Sequence, residues 1–89
     1  MRRVHLSIYG IVQGVFFRHN TSRSAYKLGV KGFVRNTNDH VEAVFEGSDD
    51  AVEELVNFCR KGPKGAVVQK FEIKEEEYKN EFEEFEVRA

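Results

Sequence analysis

The chain is poor in the residues that build disulfide scaffolds, metal clusters and membrane spans. Its 89 residues include one cysteine, one proline and no tryptophan. A lone Cys59 excludes an internal disulfide and a thiolate metal cluster, and it suits a reducing compartment. No apolar run is long enough to span a bilayer, and Met1-Arg2-Arg3 leads directly into an alternating segment rather than a signal-peptide core. We therefore expect one cytoplasmic domain over residues 1–89, with no membrane partner.

Acidic residues are absent from the first part of the chain. Residues 1–38 hold seven Lys or Arg and no Asp or Glu, whereas residues 39–89 hold seven Lys or Arg against fifteen acids. This asymmetry predicts an anionic ligand in the first part. The overall pI of 6.3 is low for a protein that reads nucleic acid, so we expect no nucleic-acid partner.

The basic part contains a glycine-flanked stretch, Gly10-Ile11-Val12-Gln13-Gly14-Val15-Phe16-Phe17-Arg18. Glycines allow backbone conformations in which consecutive N-H groups point at one spot, and such a concavity binds anions. Arg18 then stands at the start of a predicted helix, where its planar fork can grip two oxygens of a phosphate or carboxylate. A glycine pair by itself is more often an ordinary turn beside a solvated arginine.

Hydrophobic periodicity predicts the order strand, helix, strand, strand, helix, strand and a short fifth strand. This order is typical of the α+β, ferredoxin-like split β-α-β sandwich, with an antiparallel sheet of four to five strands and two helices on one face. The acidic run Glu75–Glu77 is interpreted as a solvated connection. The predicted strands are Val4–Tyr9, Lys31–Asn36, Val41–Glu46, Val67–Ile73 and about Phe82–Val87; one helix runs from about His19 or Asn20 to Leu28, and the other follows an N-cap at Ser48.

Two motifs together resemble the acylphosphatase family. Gly10–Arg18 matches its G-x-V-Q-G-V-x-[FY]-R loop, and Gly32-Phe33-Val34-Arg35-Asn36 matches its G-[FWY]-V-[KR]-N strand, followed by Val41-Glu42. The order and spacing of the motifs agree, and the similarity covers essentially the whole chain. One departure is His40, where family members often carry Gly, so the turn after Asp39 is expected to need a positive φ that His tolerates.

The resemblance implies hydrolysis of acyl phosphates without a cofactor or metal, by direct in-line attack of water and with no covalent intermediate. Arg18 and Asn36 are the expected catalytic residues: Arg18 holds the phosphoryl group and Asn36 orients the attacking water. We expect the phosphate to accept N-H groups from the backbone cradle, in which Gly14→Ala should do more harm than Gln13→Ala. The predicted cradle consists of Gln13, Gly14, Val15, Phe16, Phe17 and Arg18.

Two other functions fit the same predicted fold. One is a phosphate-binding or regulatory domain without catalysis. The other is a single-strand RNA binder of the RRM type, because Lys31-Gly32-Phe33 resembles the start of an RRM motif. The resemblance ends at Val34-Arg35-Asn36, and it lies on the second predicted strand rather than the third. A P-loop enzyme is excluded by the missing Gly-Lys-Ser/Thr ending. We expect a monomer whose partners are a small acyl phosphate and inorganic phosphate.

Overall fold

The computed structural model describes all residues from Met1 to Ala89. It contains five strands and two helices in the predicted order, and the α+β ferredoxin-like architecture is confirmed. The sheet has the strand order β4-β1-β3-β2-β5. The elements are β1 (Arg2–Ile11), α1 (Phe17–Leu28), β2 (Lys31–Asn36), β3 (Val41–Gly47), α2 (Asp49–Lys61), β4 (Val67–Glu76) and β5 (Phe85–Arg88).

The core lies between the two helices and one face of the sheet. Alternation along β1 sends Val4, Leu6 and Ile8 into this core, where each is fully buried. The helices contribute apolar side chains that recur with the helical period, which places them on one face of each helix. These helix residues are Phe17 and Ala25 of α1 and Val52, Leu55, Val56 and Cys59 of α2.

The prediction of a wholly antiparallel sheet is wrong at its last strand. β1, β3, β2 and β4 pair antiparallel, but β5 pairs parallel to β2, so the sheet is mixed. β5 begins at Phe85, whereas the predicted strand began at about Phe82. Phe82 lies in the preceding loop, where its ring packs edge-on against that of Phe33 at 6.0 Å between ring centroids. Because β5 and β2 run parallel, their C-terminal ends lie at the same end of the sheet.

The interpretation of Glu75–Glu77 as a solvated connection is wrong for its first two residues. Glu75 and Glu76 end strand β4, and their carboxylates bind the guanidinium groups of Arg2 and Arg3. Arg3 also binds Glu46 at 3.0 Å, and both side chains are buried. Burial opposes ionisation of Glu46, but N-H groups of the loop after β4 and the Arg3 guanidinium outweigh it and lower its pKa.

Helix α1 begins at Phe17, two or three residues before the predicted start at His19 or Asn20. This places Arg18 inside the first turn of the helix rather than in front of it. Neither helix has the length and hydrophobicity that a membrane span requires.

Candidate active site

The loop between β1 and α1 exposes main-chain N-H groups. Val12 is buried and anchors the loop, while Gly14 has a φ of 76° and Phe16 a φ of 58°. The N-H groups of residues 13–16 donate no hydrogen bond to any other group of the protein. Those of residues 17–19 belong to the first helical turn, which has no intrahelical acceptor. The loop and helix start therefore present a row of free donors.

The N-terminus of α1 has no side-chain cap. Its N-cap residue is Phe16, no acidic residue stands in the first turn, and no side chain accepts from the helix N-H groups. The left-handed conformation of Phe16 is held from the helix side, because both the main-chain N-H and the Nδ2 of Asn20 donate to the Phe16 carbonyl at 3.0 Å. The partial positive charge of this helix end is therefore not neutralised by the protein.

Arg18 is held in place by the main chain of β5. Its Nη1 donates to the carbonyl of Arg88 at 2.8 Å, and Arg18 forms no ion pair with any carboxylate. The guanidinium thus keeps its full charge and several free N-H donors. Sequence reasoning missed the part played by Arg88, because a main-chain carbonyl has no signature in the sequence.

Asn36 ends strand β2 with its side chain on the core side of the sheet. It follows Val34 by two residues, and residues two apart on a strand share a face. Its Oδ1 is buried and has no hydrogen-bond partner within the protein. A buried amide oxygen without a partner is rare, and it marks a position where a water or ligand proton would be accepted.

One cavity of about 440 Å³ joins these groups. The loop and helix start contribute most of its wall, and residues distant in sequence complete it. Of the predicted site residues, Arg18, Asn36, Gly14, Phe16 and Phe17 are brought together here, whereas Gln13 and Val15 do not line the cavity. The remaining lining residues are Val12, His19 and Val87.

Gln13 instead connects the loop to the turn between β2 and β3. Its Nε2 donates to the carbonyls of Thr37 at 2.8 Å and His40 at 3.0 Å. The sequence interpretation assigned Gln13 a role through backbone geometry alone, so this side-chain clamp was missed. It fixes the loop relative to the segment that follows Asn36. Val15 is half-buried and packs against the core.

Gly10 and His40, both interpreted from the sequence as turn residues, differ from that interpretation. The expectation of a positive φ at His40 is wrong; its ring stacks on Tyr9 at 4.7 Å between centroids, and its Nδ1 lies 2.8 Å from the Thr37 hydroxyl. Gly10 belongs to β1 at an irregularity in its pairing with β4, where a Cβ would come within 2.1 Å of the Val67 carbonyl oxygen. Gly10 therefore serves close strand packing and does not line the cavity.

Titratable groups with perturbed pKa values lie away from the cavity. On the other face of the sheet, burial opposes ionisation of Glu42, but hydrogen bonds with His5 and Arg35 outweigh it and lower its pKa. Burial raises the pKa of the Cys59 thiol to about 12, which makes it an unreactive core residue. No group of three or more His, Cys, Asp or Glu side chains is arranged to hold a metal ion.

Comparisons with known proteins place the chain in a family. The Acylphosphatase family model matches residues 4–87. The chain is 47% identical over 88 residues to an acylphosphatase of Syntrophus aciditrophicus, covering 98% of this chain and 92% of the relative. It is 51% identical over 87 residues to an acylphosphatase of Pyrobaculum calidifontis, covering 96% and 79%.

Solved structures agree with this assignment. An acylphosphatase from Coxiella burnetii superposes with a TM-score of 0.91 at 32% identity, covering 98% of this chain and 92% of that one. Full-length HypF in a phosphate- and nucleotide-bound form gives a TM-score of 0.90 at 28% identity, but the match covers 99% of this chain and only 12% of HypF. On the family model and the full-length relatives, this chain belongs to the acylphosphatase family.

Proposed function

We propose that the single domain of residues 1–89 hydrolyses the carboxyl-phosphate bond of acyl phosphates to a carboxylate and inorganic phosphate, by in-line attack of water without a metal or covalent intermediate. The observation that carries this proposal is one cavity lined by an unpaired guanidinium, an uncapped helix N-terminus and Asn36, whose amide oxygen has no partner in the protein. These groups supply the two things that phosphoryl transfer needs, charge stabilisation and positioning.

The phosphoryl group binds in the cradle. Its oxygens accept the N-H groups between Gly14 and His19 and the N-H groups of Arg18 that Arg88 does not use. Because these donors are fixed by the fold, they also stabilise the charge on the equatorial oxygens as phosphorus passes between the two apical oxygens. Gln13 contributes through its clamp on the β2-β3 turn, which keeps the cradle and Asn36 in one geometry.

Asn36 orients the attacking water. Its buried Oδ1 accepts one water proton, which turns a water lone pair toward phosphorus. An amide is too weak a base to remove that proton, so the water proton passes to a phosphoryl oxygen as the new oxygen-phosphorus bond forms. The bond between phosphorus and the carboxyl oxygen breaks, and its electron pair leaves with the carboxylate.

The leaving group explains why these residues suffice. A carboxylate has a pKa of about 4, so it departs without a proton from a general acid. An alcohol leaving from a phosphate monoester is far more basic and needs an acid or a metal ion. We therefore expect activity on acyl phosphates and very little on monoesters.

A phosphate-binding domain without catalysis is the second candidate, because the cradle alone would bind phosphate. Asn36 favours catalysis over simple binding, since it lines the same cavity as Arg18 and its amide oxygen, which has no partner in the protein, is a proton acceptor and not a phosphate donor. Single-strand RNA binding is disfavoured, because the sheet face away from the helices interleaves carboxylates with its cations. These carboxylates are Glu42, Glu72 and Glu76.

The test is release of inorganic phosphate from acetyl phosphate in the presence of EDTA, compared with spontaneous hydrolysis. We expect release well above the spontaneous rate for the wild type and for Arg23→Ala, an exposed arginine on the same helix as Arg18. Phosphate binding without release would support the binding domain instead. Dependence on added divalent metal would contradict the proposed mechanism, and tighter binding of single-stranded RNA than of phosphate would favour the RRM alternative.

We further propose that the protein acts as a monomer. The β4 edge of the sheet alternates charges at Lys70, Glu72 and Lys74, and such edges resist pairing with another strand. Light scattering at the concentrations used for the activity assay tests this; a dimer mass would contradict it.

A further inference from the structure

Two apolar side chains stand exposed in the wall of the phosphate cavity. Phe16 is 76% exposed and Val87 is 49% exposed, and both line the cavity that contains Arg18 and Asn36. Single exposed apolar residues are common on protein surfaces. These two differ from that background because they come from segments distant in sequence and border the same polar centre.

The ring of Phe16 is not explained by folding or by phosphate binding. It contributes little to the core, and its φ of 58° lies in the left-handed region, which is unfavourable for a non-glycine residue. The cradle uses the main-chain N-H of this position and needs no side chain there. A large apolar group at a strained, exposed position therefore points to a ligand group that packs on it.

Val87 reaches the cavity because β5 runs parallel to β2. It lies opposite Val34 in the strand register, and the next residue supplies the carbonyl that holds Arg18. The same strand thus fixes the guanidinium and presents an apolar surface beside it. A substrate whose phosphoryl group lies on Arg18 would have its acyl group next to this strand.

The charges around the cavity favour an uncharged acyl group. Arg18 is used by the phosphoryl group, and the Arg88 guanidinium lies over the Phe33 ring at 4.1 Å and binds Glu86 at 2.9 Å. Apart from Arg18 and Asn36, which act on the phosphoryl group and the attacking water, His19 is the only lining residue with a polar side chain that could meet a substrate carboxylate. A second carboxylate on the acyl group would lose hydration against Phe16 and Val87 without a strong cation in return.

We propose that the site prefers acyl phosphates whose acyl group is an uncharged hydrocarbon, and that Phe16 and Val87 form the surface on which this group packs. The inference rests on the proposed function for its substrate but concerns a different part of the cavity. Phe16 and Val87 act on substrate choice, whereas the cradle and Asn36 act on the phosphoryl group.

The experiment compares kcat/KM for acetyl, butanoyl and hexanoyl phosphate, together with succinyl phosphate as the charged partner of butanoyl phosphate. Full burial of one CH₂ corresponds to about a fourfold change, so on this open surface we expect roughly a twofold rise per added CH₂, mainly through KM. Succinyl phosphate should be a poorer substrate than butanoyl phosphate. Phe16→Ala and Val87→Thr should each flatten the series, and Phe16→Leu should largely restore it.

Two further measurements separate this inference from the proposed function. The inhibition constant of inorganic phosphate should stay unchanged in Val87→Thr, since Val87 contributes no N-H group to the cradle. Binding of methyl-, butyl- and hexylphosphonate should show the same rise with chain length, with or without hydrolysis. If no acyl phosphate is hydrolysed but the phosphonate series rises, the proposed function fails and the apolar surface stands. A flat series in the wild type, or an equal loss for all chain lengths in Phe16→Ala, would overturn the inference.

Discussion

The two helices cover the same face of one sheet, yet their N-termini are built differently. Helix α2 is completed by the protein: Ser48 accepts a hydrogen bond from the N-H of Ala51, and Asp49 and Asp50 place negative charge in its first turn. Helix α1 has none of these features, because its N-cap is a left-handed Phe16 and its first turn holds Arg18 and His19.

Of the two helix N-termini, only that of α1 is available to an anionic ligand. An anion near α2 would meet two carboxylates and a capped first turn, whereas an anion near α1 meets free N-H groups and an unpaired guanidinium. Both helix ends have the same intrinsic dipole, so the neighbouring side chains decide the outcome.

Replacing Arg18 removes the only full positive charge fixed in the cradle. We expect Arg18→Ala to lower kcat/KM for acetyl phosphate by about 10³-fold and to weaken phosphate binding roughly 10- to 100-fold. Steady-state kinetics and phosphate titration measure the two effects. Arg23→Ala, five residues further along α1, should behave as wild type, and Arg18→Lys should not recover full activity because it lacks the planar fork. Equal losses in Arg18→Ala and Arg23→Ala would mean that overall charge, not the cradle, is responsible.

Replacing Asn36 should separate binding from catalysis. We expect Asn36→Ala to lower kcat about 10²-fold, because the water loses its orientation, while phosphate affinity stays close to wild type. The matched control is Asn38→Ala in the following turn, where the asparagine is exposed. A parallel loss of phosphate affinity and kcat would contradict the division of roles between Arg18 and Asn36.

An acidic residue in the first turn of α1 would make this helix end resemble that of α2. We expect His19→Asp to stabilise the fold by about 0.3–1 kcal/mol through the helix dipole, and to weaken phosphate binding about tenfold through repulsion at the cavity. The His19→Asn variant is the control: asparagine has the shape of aspartate without its charge, so it separates the effect of the charge from the effect of losing the imidazole ring. Calorimetric titration measures the phosphate affinity, and urea unfolding measures the free energy of unfolding. Unchanged phosphate affinity in His19→Asp would show that anions do not bind at this helix end.

Removing the cap of α2 should affect stability only. Ser48→Ala is expected to lower the free energy of unfolding by about 1 kcal/mol, because the Ala51 N-H loses its acceptor. Its kcat/KM should equal that of wild type, and Ser24→Ala within α1 should show no such loss of stability. A drop in activity at Ser48→Ala would indicate that the two helix ends are not independent.

The same contrast explains what the sequence could predict. The start of α2 was predictable because Ser48, Asp49 and Asp50 cap it locally. The start of α1 was not, because it depends on a left-handed Phe16 that Asn20 and the loop hold in place. The proposed role of Asn36 could be predicted from its motif. Because Asn36 lies two residues after Val34 on the same strand, its side chain could also have been placed on the core side of the sheet.

Other parts of the site have no local signal. Arg18 is positioned by a hydrogen bond to a main-chain carbonyl of β5. The parallel orientation of β5 depends on the path by which the chain returns to the sheet beside β2. The Gln13 clamp requires knowing that the loop lies beside the β2-β3 turn. These are consequences of tertiary packing, which propensity and periodicity do not encode.

The proposed activity requires that free N-H groups at the start of α1 bind the phosphoryl group. Titration of the ¹⁵N-labelled protein with inorganic phosphate, followed by amide chemical shifts, measures this binding residue by residue. We predict saturable shifts for the amides of residues 14–19 and none for those of residues 49–51 at the start of α2. Comparable shifts at both helix starts, or silent amides in residues 14–19, would contradict it.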